Sequence, residues 1–158
     1  MYLSQEPNLC LLVDDDKDDK ADRMELLLHG FDTHDTHHAI HAFSSDASGA
    51  FHMGEGRFLH SQVETPYGPQ RCNDGGVWRF DPKSFRLERR VQSDLNNPWG
   101  IIFDDWDQMF VADASSGNNW WGLPISAKMP YGVEIPKTEE FAPKRARPTA
   151  GGEFVSSR

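Results

Sequence analysis

Cysteine is scarce. Cys10 and Cys72 are the only two in 158 residues, and no CxxC or CxxCH spacing announces a redox pair, a zinc knuckle or a haem attachment. Long apolar runs are missing too: none approaches the roughly 18 residues that cross a bilayer, so no membrane segment is expected. Met1 is followed by neither a basic stretch nor an apolar signal-peptide core, and no export address is visible. Basic charge is in the minority, with 16 Lys and Arg against 25 Asp and Glu and a net charge of −9. That balance opposes a phosphate backbone and argues against nucleic acid as a partner. The apolar fraction of 37% lies below the roughly 45–50% of ordinary domains, which predicts a thin core.

What is present comes in short apolar runs punctuated by Gly, Pro, Asn and Asp: 8–13, 24–28, 39–43, 50–53, 77–80, 100–103 and 109–112. Runs of this length and spacing read as strands of an all-β architecture, with helix expected for at most one turn around Asp22 to Leu27. Two units, Asp46-Ala-Ser-Gly-Ala-Phe51 and Phe103-Asp-Asp-Trp-Asp-Gln-Met-Phe110, read as one hairpin used twice, about 58 residues apart. Such an echo suits the blades of a β-propeller, which closes with 4–8 of them. The chain holds material for two or three, so a partial propeller over 1–125 is expected. It is followed by a Pro-rich inter-blade segment over 126–158 with a basic cluster at Lys144, Arg145 and Arg147.

Three constellations carry candidate chemistry. Asp14, Asp16, Asp18, Asp22 and Glu25 stand at positions 1, 3, 5, 9 and 12 of a calcium-type loop, with the Lys20 carbonyl at position 7. Asp19 replaces the usual glycine at position 6, and a solvated acidic turn is the alternative. His34, His37, His38 and His41 would share a face only on a helix, and the β-leaning residues among them disfavour a zinc site. A general base facing a cavity and plain structural histidines both stay open. Asn96-Asn97-Pro98-Trp99-Gly100 and Asp113 to Gly122 place amides beside indoles, which suits sugar recognition or a turn packed by tryptophan.

Several of these segments also carry a family resemblance. Asp35-Thr-His-His-Ala-Ile-His41, His60 to Gly68, Gly75-Gly-Val-Trp-Arg-Phe80 and Asn97-Pro-Trp-Gly100 with Phe110-Val-Ala-Asp-Ala114 together resemble the propeller domain of planctomycete-type "membrane-bound dehydrogenase" proteins. That family is often fused to a haem-binding cytochrome c module. It in turn resembles the six-bladed, pyrroloquinoline-quinone (PQQ) dependent glucose and sorbosone dehydrogenases. The resemblance implies a fragment of a PQQ-dependent sugar or alcohol dehydrogenase-like propeller, six-bladed when whole and passing electrons to the cytochrome module. It implies a periplasmic or extracellular location, and haem only on a module outside this chain. By position, His38 matches the catalytic base and Asn97 the asparagine of a cofactor-binding turn, while Asn96 stands where those enzymes carry an arginine. Calcium at 14–25 would then be structural. A non-catalytic, calcium-braced propeller that binds carbohydrate or a protein partner is the other reading.

Overall fold

The computed structural model describes residues 1–93, 95–124, 127, 129, 139–144 and 151–155. Among them there is no helix. Three antiparallel sheets and one extra hairpin account for thirteen strands. The first sheet joins β1 (Tyr2–Gln5), β2 (Asn8–Val13) and β3 (Arg23–His29). The helical turn expected around Asp22 to Leu27 is therefore a strand. Cross-strand pairing with β2, such as Leu9 opposite Leu28 and Leu11 opposite Glu25, overrides the weak local preference.

The second sheet is built from β4 (His41–Ser45), β5 (Phe51–Glu55), β8 (Gly76–Asp81) and β9 (Arg86–Gln92), in that order. Between β5 and β8 the chain leaves to form a separate hairpin, β6 (His60–Val63) with β7 (Gln70–Asn73). The third sheet repeats the four-stranded meander with β10 (Gly100–Phe103), β11 (Gln108–Asp113), β12 (Asn118–Pro124) and β13 (Glu140–Ala142). The sheets do not close into a barrel among the described residues. Of the Pro-rich 126–158 segment, Glu140–Ala142 forms this last strand, whereas Arg145 and Arg147 lie outside the described residues.

Strand alternation explains how the middle sheet is covered on both faces. Phe51 and Met53 of β5, with Trp78 and Phe80 of β8, join a core with Leu9, Leu28, Phe31, Val63 and Cys72 from the first sheet, its exit and the hairpin. Residues of opposite parity point the other way. Val77 packs with Ile101, Met109 and Val111 of the third sheet, and the His52 ring meets Phe103 at 4.6 Å. Gly54 belongs to this second face, where a Cβ would lie 2.6 Å from the Pro98 carbonyl oxygen. A larger residue there would push the third sheet away.

The two hairpins read as echoes superpose in their hydrogen bonding. Asp46 N–H donates to Ala50 O and Gly49 N–H to Asp46 O; 58 positions on, Asp104 N–H donates to Gln108 O and Asp107 N–H to Asp104 O. Gly49 and Asp107 both adopt the left-handed backbone, with φ of 85° and 59°. The turns touch, because Ala47 N–H donates to the Asp107 carboxylate at 3.1 Å. The second and third sheets therefore stack with their turns at one end and their strand exits at the other.

Candidate functional site

At the exit end, His38, Arg57, Phe58, Asn96, Ser115, Ser116 and Lys144 line an open pocket of about 340 Å³. Its membership follows the repeat. His38 and Asn96 precede the first strands of their meanders, whereas Arg57 and Ser115, then Phe58 and Ser116, follow the second strands; each pair is 58 positions apart. Gly56 lets the two halves meet. A Cβ there would come within 2.5 Å of the Asn96 carbonyl oxygen and 2.9 Å of the His38 Cβ. Instead Gly56 N–H donates to His38 O at 2.8 Å and Arg57 N–H to Asn96 O at 3.2 Å.

His38 is held from one side. Its Nδ1 lies 3.3 Å from the Asp35 carboxylate and 3.2 Å from the Arg57 carbonyl oxygen, and its side chain is 18% exposed. Two acceptors at Nδ1 favour the tautomer protonated there, which leaves the lone pair on Nε2. The ring lies 6.0 Å from that of Phe58. An imidazole held in this way can accept a proton at Nε2. Arg57 and Lys144 contribute cationic side chains to the same wall, with the Arg57 guanidinium 5.9 Å from the centre of the Phe58 ring.

Asn96, not Asn97, lines the pocket. Asn97 sits behind it: its N–H and that of Asn96 donate to the buried Asp113 carboxylate at 3.1 and 2.9 Å, and its Oδ1 is buried without a partner among the described residues. Next to it His41 packs its ring 5.0 Å from Trp99 and donates a close hydrogen bond from Nδ1 to the Ala39 carbonyl oxygen. Burial pushes the His41 imidazole down, and nearby His38 adds to this against the upward pull of Ala39 and Asn97. The four histidines read as a possible zinc cluster do not converge. Among the described residues the one group of three or more side chains poised to share an ion is Asp14, Asp16 and Asp18.

That group sits in the loop joining β2 to β3. Asp14 accepts from the backbone N–H groups of Lys17 and Asp19 at 2.6 and 3.0 Å, and Asp19 has a φ of 67°, the conformation that a glycine supplies at this position of calcium loops. Asp22 instead accepts from Asp15 N–H at 2.8 Å, Lys20 reaches Asp18 with its ammonium, and Glu25 pairs with Arg23 on the strand. Three of the six expected ligands thus come together. The tryptophans divide similarly: Trp99 packs on His41, whereas Trp121 lies tilted against Phe110 in the third sheet, ring centres 4.8 Å apart.

Sequence reasoning missed Arg57 and Phe58, and gave no individual role to Asp35, Ser115 and Ser116, which lie inside the segments it named. Extending the hairpin echo by a few residues would have found Arg57, Phe58, Ser115 and Ser116.

Residues 1–150 match the model of a family described as a domain of unknown function (DUF7133). The match spans nearly the whole chain, which therefore belongs to that family. No curated protein and no solved structure matches significantly.

Proposed function

We propose that the stacked sheets are blades of a β-propeller related to the quinoprotein dehydrogenases, and that the His38 pocket binds a sugar or alcohol hydroxyl for oxidation. One observation carries the reading: His38 is fixed through Nδ1 by Asp35 and the Arg57 carbonyl in a pocket lined by equivalent positions of successive repeats. Pockets on a propeller axis are assembled in this way, each blade contributing the same loops. The third sheet contributes amide and hydroxyl groups (Asn96, Ser115 and Ser116), suited to orienting a polyol.

The chemistry of the wall fits an anionic quinone. Arg57 and Lys144 supply the positive charge that its carboxylates need, although the position held by arginine in the related enzymes is Asn96. When bound, PQQ would supply the hydride acceptor. This chain's own part is to take the hydroxyl proton on His38 Nε2, with Asp35 stabilising the imidazolium that forms. Calcium at Asp14, Asp16 and Asp18 would brace the β2–β3 loop, away from the chemistry. In the same reading the protein is exported and electrons pass to a cytochrome c module, as the resemblance implies.

Isothermal titration of the chain with PQQ, in the presence of calcium, tests this. We expect binding that weakens about tenfold in Arg57→Gln and a separate calcium heat that disappears in Asp14→Asn. Absence of quinone binding would sink the oxidoreductase and leave a carbohydrate- or partner-binding propeller.

A further inference from the structure

The His38 pocket has a neighbour. Asp32, His34, Phe58, His60 and Asp74 line a second open pocket of about 490 Å³, and Phe58 is the residue common to both. Its backbone is unusual for an aromatic residue: φ is 74°, in the left-handed region where a Cβ-bearing, bulky side chain is strained. Its side chain is not hidden in compensation, since Phe58 is 52% exposed. The strain is imposed from outside. Phe58 N–H donates to the Asp74 carboxylate at 2.9 Å, and Asp74 N–H donates to Leu59 O at 2.8 Å. The loop is thus tied to the end of the inserted β6–β7 hairpin.

The floor of the second pocket is built as firmly. The Asp32 carboxylate accepts from the backbone N–H groups of His60 at 2.7 Å, Thr33 at 2.7 Å and His34 at 3.0 Å. Burial raises its carboxyl, but these donors and the His34 imidazole hold it below the usual carboxylate range. The result is two imidazoles and two carboxylates on one side of an aromatic ridge, and His38, Arg57 and the third sheet's polar groups on the other.

We infer that Phe58 is a stacking ridge between two sugar subsites, so that the preferred ligand is a saccharide of at least two units with one ring on each side. This rests on reading the His38 pocket as a site for a hydroxylated ligand. An exposed aromatic edge offers its face to the C–H surface of a pyranose, while imidazoles and carboxylates serve the hydroxyls of the second ring. The third sheet has Ser116 at the corresponding position and no inserted hairpin, so it builds no second pocket of this kind among the described residues.

The test is a titration of the chain with glucose, galactose, mannose and xylose and with their β-1,4- and α-1,4-linked di- and trisaccharides. At least one disaccharide should bind about tenfold more tightly than its monosaccharide. His60→Ala should erase that preference without weakening the monosaccharide, Phe58→Ala should erase it and weaken the monosaccharide as well, and Phe58→Trp should keep it. Phe58→Gly should lose the preference yet melt about 2–4 °C higher, because glycine accepts the backbone conformation. Equal affinity for single and linked sugars, binding of none, or a Phe58→Gly chain that melts lower and keeps the preference would overturn the ridge. The quinone titration reads the other proposal separately: loss of quinone binding with retained length preference removes the oxidation and leaves the ridge standing.

Discussion

The second and third sheets are the same hairpin filled in two ways, and the contrast is sharpest at the two buried carboxylates that close them. Glu55 ends β5 and Asp113 ends β11, 58 positions apart and 0% and 1% exposed. Asp113 gathers backbone N–H groups from Asn96, Asn97, Ser115 and Ser116. It is the knot that ties both ends of the third sheet's pocket loops. Glu55 receives side chains instead, Trp78 Nε1 at 2.8 Å and Ser61 Oγ at 2.7 Å, both on Oε2; its Oε1 has no partner among the described residues. Burial pushes its carboxyl up to about 7, against the pull of Trp78 and Ser61. One position in a repeated hairpin can thus be a structural clasp or a titrating group, according to whether backbone or side chains reach it.

The hardest way to break this comparison is to remove the clasp. Asp113→Ala orphans four buried or half-buried backbone donors and should cost about 3 kcal/mol or more, seen as a fall in the urea midpoint. Glu55→Gln should do the reverse. The folded state keeps the Glu55 proton where the unfolded chain, near its ordinary 4.5, has released it. Glu55 therefore lowers stability progressively as pH rises from about 4.5 to about 7, with the whole penalty, up to about 3 kcal/mol, present above that. Glu55→Gln should raise the midpoint at pH 8 and leave it nearly unchanged below pH 4.5.

His52, on the opposite face of the same strand, titrates in the other sense. Burial chiefly pushes its imidazole down to about 4, despite the Asp46 carboxylate beside it, so its contribution is lost as pH falls from about 6.5 to about 4. The two dependences oppose each other between those values. The wild type should look flat there, and Glu55→Gln should uncover a decline on acidification. The smallest effect is expected at the turns. Asp107→Gly relieves a left-handed residue where the other repeat already has Gly49, but it loses the bond from Ala47. A net change within about 1 kcal/mol, read from the melting temperature, would sharpen the equivalence of the two turns.

The repeat was legible because its turn chemistry is local. Asp at the turn entrance, a residue tolerant of positive φ three places on and an alternating strand after it can be read from 46–51 and 103–110. The strands missed lacked such a signal. β9 carries Arg86, Glu88, Arg89 and Arg90, and Arg89 and Arg90 are buried only because other parts of the fold receive them. Arg90, for example, donates to the Pro124 and Ala127 carbonyls. β6 and β7 are polar and short, and nothing in 60–73 announces that Val63 and Cys72 join the main core. At the site, His38 was visible as an imidazole near a strand start, but its orienting partner Asp35 lies in an irregular loop whose path depends on tertiary packing. Asn97 looked like the contact residue, and the backbone turned Asn96 into the wall instead.

The inserted β6–β7 hairpin has a further meaning as a unit of change. It forms its own two-stranded sheet, outside the hydrogen-bonded ladder of the four-stranded sheet that it interrupts, yet it supplies His60 to the second pocket and its exit supplies Asp74, the anchor of Phe58. Lengthening, shortening or replacing it would alter what is admitted beside His38 while leaving the pairing of β5 with β8 in register. Under the proposed function, this would separate heritable variation in what is recognised from preservation of what reacts, so that descendants of one four-stranded sheet could diversify in ligand without rebuilding the base.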